Sequence, residues 1–256
     1  MPSLSLLSGS DIGKEPAVAP AEKSTYGESK IMNHALATLT LGHAARSDLH
    51  PLLLEHLPEE QIVYVGLLDG LTAEDIVRRY GAAENEKVVM TRLDDGTHVA
   101  LSAEKVEAAL QNQIRELERQ GFETILMLCS GHYSNLFTER AVLLEPYRIL
   151  PPLVEAIIDG HQAGIVVARE ENIAEQARKW KSLAQRPYFA VASPWHNSDD
   201  ELIDAALLLQ EQGADVVLLD CLGYHQRHRD FLQKLLGIPV LLSNVLIAKL
   251  AAELLV

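Results

Sequence analysis

From His34 to the end, the chain alternates short apolar runs with longer stretches whose apolar residues recur every three or four positions. Such an alternation predicts βα units built on a mostly parallel sheet, because strands buried on both faces read as unbroken apolar runs and the covering helices as amphipathic ones. The predicted strands are 34–42, 61–68, 122–128, 141–145, 161–168, 186–192, 215–220 and 238–242. Between them the periodicity predicts helices at 48–57, 72–80, 103–120, 147–159, 170–183, 198–212, 225–235 and 244–255. Thr72 with Asp75, Ser102 with Lys105 and Ser198 with Glu201 are the expected amino-terminal caps. The segment 87–101 departs from the alternation: KVVMTRL, DDGT and HVALS have the turn chemistry of a β-hairpin. Residues 1–31, rich in Ser, Ala, Pro, Gly and charge without sustained periodicity, read as a disordered leader or as the product of a start site placed too far upstream.

The pattern repeats itself. At an offset of 92 residues, Gln120-Gly121 matches Gln212-Gly213, Glu123 matches Asp215, Cys129 matches Cys221 and Gly131 matches Gly223. Val142-Leu143-Leu144 before one helix likewise pairs with Val240-Leu241-Leu242 before another. This is a duplication of a helix, strand, loop, helix, strand, helix unit, and it predicts two similar α/β lobes facing each other. Ligands of open α/β sheets collect beyond the carboxyl ends of the strands, which is where both cysteines fall. One thiol would then stand on each side of a shared cleft. Two opposed acid/base groups suit the removal of a proton from a carbon beside a carboxylate and the return of a proton from the other side. Cysteine can do this because a helix amino terminus or a nearby His brings its pKa into range.

Composition narrows the ligand. With 36 acidic against 22 basic residues and a net charge near −14, the chain repels phosphate backbones and anionic lipid, so neither nucleic acid nor membrane is an expected partner. A small carboxylate or other small anion is. No apolar run is long enough to span a bilayer and no secretory signal opens the chain, so the expected location is cytoplasmic, where the two cysteines are thiols and not a disulfide. Neither GxGxxG nor GxxxxGK[ST] occurs, and no cofactor is expected.

Specific stretches carry a family resemblance. Leu219-Asp-Cys-Leu-Gly-Tyr-His-Gln-Arg-His-Arg-Asp230, Ile238 through Val256, and Leu144-Glu-Pro-Tyr-Arg-Ile-Leu-Pro-Pro-Leu153 resemble the AroM family, from about His34 to the end. The architecture of that family is similar to the aspartate/glutamate racemase superfamily, whose members are bilobal, cofactor-independent and carry a strand-end cysteine in each lobe. The resemblance implies a racemase-like α/β fold with mostly parallel sheets and an active-site cleft between the lobes. The lobes are expected at 34–146, completed by the helix at 245–256, and at 147–244. The chain departs from the racemase pattern of Cys-Asn-Thr and Cys-Thr-His or Cys-Thr-Glu: Cys129-Ser-Gly-His132 and Cys221-Leu-Gly-Tyr-His225 stand instead. An Asp-Ser-Gly after the first strand is replaced by Gly42-His-Ala-Ala-Arg-Ser-Asp48, where Asp48 or His43 could substitute. These departures speak against amino-acid racemisation as such and leave open a related isomerase, lyase or decarboxylase acting on a carboxylate.

The expected catalytic pair is Cys129 and Cys221, with Ser130, Gly131, His132, Gly223, His225, Ser243 and Asn244 as substrate-binding residues. Against this stands the bland reading of two core cysteines, or a protein that keeps the scaffold only to bind a small anion. His225-Gln-Arg-His-Arg229 opposes a helix dipole and could receive an anion, or else lie on a solvated face or subunit interface. Cys221, His225 and His228 lack the CxxC or HExxH spacing of a zinc site, and no metal is expected. Glu145 and Arg148 read as a local ion pair or as groups that hold substrate, the structural role being favoured, and Trp195-His196 as a cleft edge or a capping cluster. The final helix and the hairpin are the surfaces on which a homodimer could form, or else pack within a lobe.

Overall fold

A computed structural model describes residues 36–44, 50–93, 95–129, 131–196 and 198–255. The proposed leader at 1–31 and Asp48 lie outside them. In chain order the elements are β1 (Leu36–Thr40), α1 (His50–Leu54), β2 (Ile62–Gly66), α2 (Ala73–Tyr80), β3 (Val88–Arg92), β4 (His98–Ser102), α3 (Ala103–Arg119), β5 (Thr124–Met127), β6 (Val142–Leu144) and α4 (Pro146–Ile158). They continue with β7 (Ala163–Val167), α5 (Ile173–Lys179), β8 (Tyr188–Val191), α6 (Asp200–Glu211), β9 (Val216–Leu219), α7 (Gln226–Leu236), β10 (Val240–Leu242) and α8 (Ser243–Glu253).

Every predicted strand is present, trimmed at its ends. The helix expected at 170–183 is shorter: a 3-10 turn at Glu170–Asn172 leads into α5, which stops at Lys179. Thr72 and Ser102 cap α2 and α3 as expected. Ser198 does not cap α6. Asp199 holds that position, Ser198 Oγ accepts from the Asp200 N–H at 3.1 Å, and the Glu201 carboxylate is taken by the Ser193 N–H and by His196.

The strands form two parallel sheets of the same order, β2-β1-β5-β6 and β8-β7-β9-β10, with the β3–β4 hairpin apart as an antiparallel pair. Side chains alternate across each sheet with a period of two. In β5, Ile125 and Met127 face a core shared with Val106, Leu110 and Ile114 of α3, while Leu126 faces Leu52 and Leu53 of α1 and Val245 and Ala248 of α8. In β9, Val216 and Leu218 meet Leu150 and Val154 of α4, whereas Val217 and Leu219 meet Leu202 and Ala206 of α6 and Leu232 of α7. Each sheet is covered on both faces, which is why its central strands are buried throughout and mostly apolar, with Thr38, Thr40 and Thr124 the polar positions of β1 and β5.

The duplication extends to backbone detail. After α3, Gly121 takes φ +94° while Phe122 N donates to Leu117 O; after α6, Gly213 takes φ +88° while Ala214 N donates to Leu209 O. Both helices thus stop by the same glycine-dependent turn, and each feeds the strand that ends in a cysteine.

Candidate functional site

Cys129 follows β5 and packs against the α3-side core; Cys221 follows β9 and packs against the α6–α7 side. Both are half-buried thiols. Because the strands of each sheet are parallel, each sulfur sits beyond a carboxyl end, where the loops leave the scaffold.

Around Cys129 the loop folds back on itself. A Cβ at Gly131 would lie 3.0 Å from the Tyr133 hydroxyl and 3.2 Å from its ring, so glycine lets the buried tyrosine close over the loop. The Tyr133 hydroxyl and the Gly131 N–H act to lower the Cys129 pKa. Burial nevertheless pushes the Cys129 thiol up to about 12, with the nearby Glu145 carboxylate adding to the rise. Burial also drives the Tyr133 hydroxyl well above its ordinary range. Cys129 is a thiol that keeps its proton. Glu145, buried at the start of α4, pairs with the exposed Arg148 at 2.8 Å, the local ion pair expected from sequence. His132 is exposed and lies against Tyr147 with ring centroids 4.5 Å apart. Ser130 lies outside the described residues.

The surroundings of Cys221 differ. The Gly223 N–H donates to its sulfur at 3.5 Å. A Cβ at Gly223 would meet Pro194 at 2.8 Å and the Trp195 indole at 2.9 Å, so the segment closing β8 lies directly against this loop. Ser243 and Asn244 are buried: Ser243 Oγ donates to Leu219 O at 3.2 Å, and Asn244 Nδ2 donates to Leu222 O at 3.2 Å and Tyr224 O at 2.6 Å. Their donors hold the backbone on either side of Cys221.

His225 opens α7, and its N–H donates to His228 Nδ1 at 2.9 Å. Since a backbone amide only donates, His228 Nδ1 accepts this bond, and the Arg227 guanidinium lies 3.1 Å from Nε2. Burial pushes His228 down to about 4, and the charges of Arg227 and His225 act in the same direction. Arg227 pairs with Asp199 at 2.9 Å and Arg229 with Asp230 at 2.8 Å, so both arginines of this run have carboxylate partners. Among the described residues no group of three His, Cys, Asp or Glu is placed to hold a metal ion, and no helix is long and apolar enough to cross a membrane.

Sequence reasoning overlooked one cluster. Asp220, immediately before Cys221, receives Lys179 Nζ at 2.7 Å and Trp180 Nε1 at 3.0 Å on one carboxylate oxygen; all three residues are buried. Trp180 Nε1 also donates to Gln176 Oε1 at 2.9 Å. The available signal was a charged residue closing the apolar run VVLL, but its partners lie about forty positions away. Charges on the same helix, α5, also act on tyrosines near Cys129: that of Glu175 on Tyr133 and Tyr147, and that of Arg178 on Tyr147. Two surface hollows of about 460 and 430 Å³ lie elsewhere, on Val77 and its neighbours in α2 and between α2 and α3, and neither includes a cysteine.

No curated protein matches the chain. Among solved structures, arylmalonate decarboxylase superposes with a TM-score of 0.55 at 14% identity, covering 86% of this chain and 92% of the other. Its unliganded form gives 0.54 at the same identity and coverage. The aspartate racemase of Picrophilus torridus gives 0.47 at 14% identity, over 86% of this chain and 93% of its own. At these identities the likeness to arylmalonate decarboxylase concerns the fold alone, an α/β architecture built on two parallel sheets. The AroM protein profile matches residues 36–255, and the chain belongs to the AroM family.

Proposed function

We propose that the protein transfers a proton, without a cofactor, at a carbon adjacent to a carboxylate, Cys221 serving as the base and Cys129 as the acid. The observation that carries this reading is the placement of two thiols at equivalent strand ends of a duplicated fold, one of which, Cys129, is held protonated. In the reaction the Cys221 thiolate takes the proton from the substrate carbon and leaves an enediolate. The Cys129 thiol then delivers its own proton to the opposite face, and the two sulfurs exchange protonation through solvent. Ser130, Gly131, His132, Gly223 and His225 would surround the carboxylate. Ser243 and Asn244 serve instead by holding the Cys221 loop.

A second reading is favoured by the proton-holding state of Cys129 and by the fold-level likeness to arylmalonate decarboxylase. A substituted malonate loses carbon dioxide, and Cys129 alone protonates the resulting enediolate; no base is required.

Incubation in D₂O with amino, hydroxy and substituted malonic acids, read by NMR, tests both. Proton transfer predicts deuterium at the carbon beside the carboxylate, reduced at least about 100-fold by either Cys129→Ser or Cys221→Ser. Decarboxylation predicts loss of carbon dioxide, abolished by Cys129→Ser and retained by Cys221→Ser. Serine variants that exchange as well as the native protein, or a native protein that processes none of these acids, would refute the catalytic reading.

A further inference from the structure

We propose that the buried Lys179–Asp220 ion pair is a positioning pair for Cys221, fixing the carboxyl end of β9 and balancing the charge of the residue that precedes the thiol. This rests on the reading of Cys221 as the reacting base. Three observations carry it. First, both members are buried, Lys179 5% and Asp220 6% exposed, and they meet at 2.7 Å. Burying two charges costs solvation that their attraction only partly returns, and well-packed apolar residues of similar volume commonly serve stability as well. Stability alone therefore does not account for the pair.

Second, it breaks the duplication. The residue equivalent to Asp220 at the offset of 92 is Leu128, buried and apolar, immediately before Cys129. The charged pair thus accompanies one thiol and not the other, on the side where a base is required. Third, Asp220 immediately precedes Cys221 and its N–H donates to Val166 O at 3.1 Å, so the pair is anchored at the last ladder position before the thiol, and the charges of both Asp220 and Cys221 act on the buried Tyr224 hydroxyl. From α5, Lys179 supplies the cation and Trp180 a further donor to the same carboxylate oxygen. With Lys179 in place the Asp220 charge is offset and Cys221 can ionise; without it, thiolate and carboxylate would repel.

The two charges consequently act on Cys221 with opposite signs, which a purely structural pair would not do. Iodoacetamide alkylation of the full-length chain across a pH series, with the two cysteine peptides quantified separately by mass spectrometry, reads this without any substrate. Asp220→Asn should speed Cys221 labelling at pH 7 by about tenfold and Lys179→Met should slow it by about tenfold, one pKa unit each way. The double replacement Lys179→Met/Asp220→Leu should restore the native midpoint, and Cys129 should be unmoved throughout. Shifts in the same direction, or no shift of Cys221 in either single variant, would overturn the proposal. A double variant whose midpoint is displaced from the native one would overturn it as well, and should Lys179→Met fail to fold, Asp220→Asn decides alone: faster Cys221 labelling supports the proposal and unchanged labelling overturns it. Failure of the deuterium experiment with these shifts intact would reject the proposed reaction and leave the pair's role standing.

Discussion

Cys129 and Cys221 occupy equivalent positions, yet their neighbours assign them different properties. Beside Cys129 stand Leu128, Tyr133 and Glu145, and burial keeps the proton on sulfur. Cys221 has the paired charges of Asp220 and Lys179 before it and the start of α7 after it. His228, at the head of α7, adds a titration of its own. Its folded pKa of about 4 lies below the ordinary 6.5, so between these values the folded ring binds less proton than the unfolded one. Its stabilising contribution is present above about 6.5 and is lost as the pH falls through 4. Chemical denaturation at stepwise pH should show stability declining across that window, and His228→Gln should flatten this part of the profile; an unchanged slope would contradict it. Much of this scale was legible from sequence. The strand-end cysteines, their glycines and the Glu145–Arg148 pair can be read from local spacing. The contact of Lys179 with Asp220 cannot, because a partner 41 residues distant is selected by sheet order and not by periodicity.

At the scale of elements, the strands were legible because parallel strands covered on both faces form nearly unbroken apolar runs, as in the wholly buried β5, β7 and β9. Boundaries were less so. Asp199 displaces Ser198 as the cap of α6 because Glu201, the expected capping partner, is taken by Ser193 and His196. The positive φ of Gly121 and Gly213 makes the duplication testable in energy. No atom lies within 4 Å of a Cβ added at either position, so substitution would bring backbone strain without a clash. Gly121→Ala and Gly213→Ala should each destabilise the fold by about 1–2 kcal/mol. Urea midpoints should fall by similar amounts in the two variants, since each glycine ends a helix by the same hydrogen-bonded turn. A large loss at one position and none at the other would show that the two units are not energetically equivalent.

On the scale of the whole molecule, one apolar cluster joins the two sheets. It contains Leu36, Leu126 and Leu144 from the first and Val166, Val217 and Leu219 from the second, together with Leu53 of α1 and Ile247, Ala248 and Ala251 of α8. The last helix of the chain therefore contacts both α1 and α4, returning to elements laid down far earlier in sequence. Cooperativity follows from this continuity: neither sheet can lose its packing without exposing residues of the other, so unfolding should be a single transition. Trp180 and Trp195 both lie in the half of the chain that forms the second sheet, so tryptophan fluorescence reports on that half and far-ultraviolet circular dichroism on all helices. The two urea curves should coincide. Ala248, fully buried in α8, is the position at which to load this junction. Ala248→Leu adds volume where none is free and should cost about 1–3 kcal/mol, moving both curves together. Separation of the curves, in the native chain or in this variant, would mean that the sheets unfold independently, and the shared cluster would then not be what holds the two cysteine-bearing strand ends in one structure.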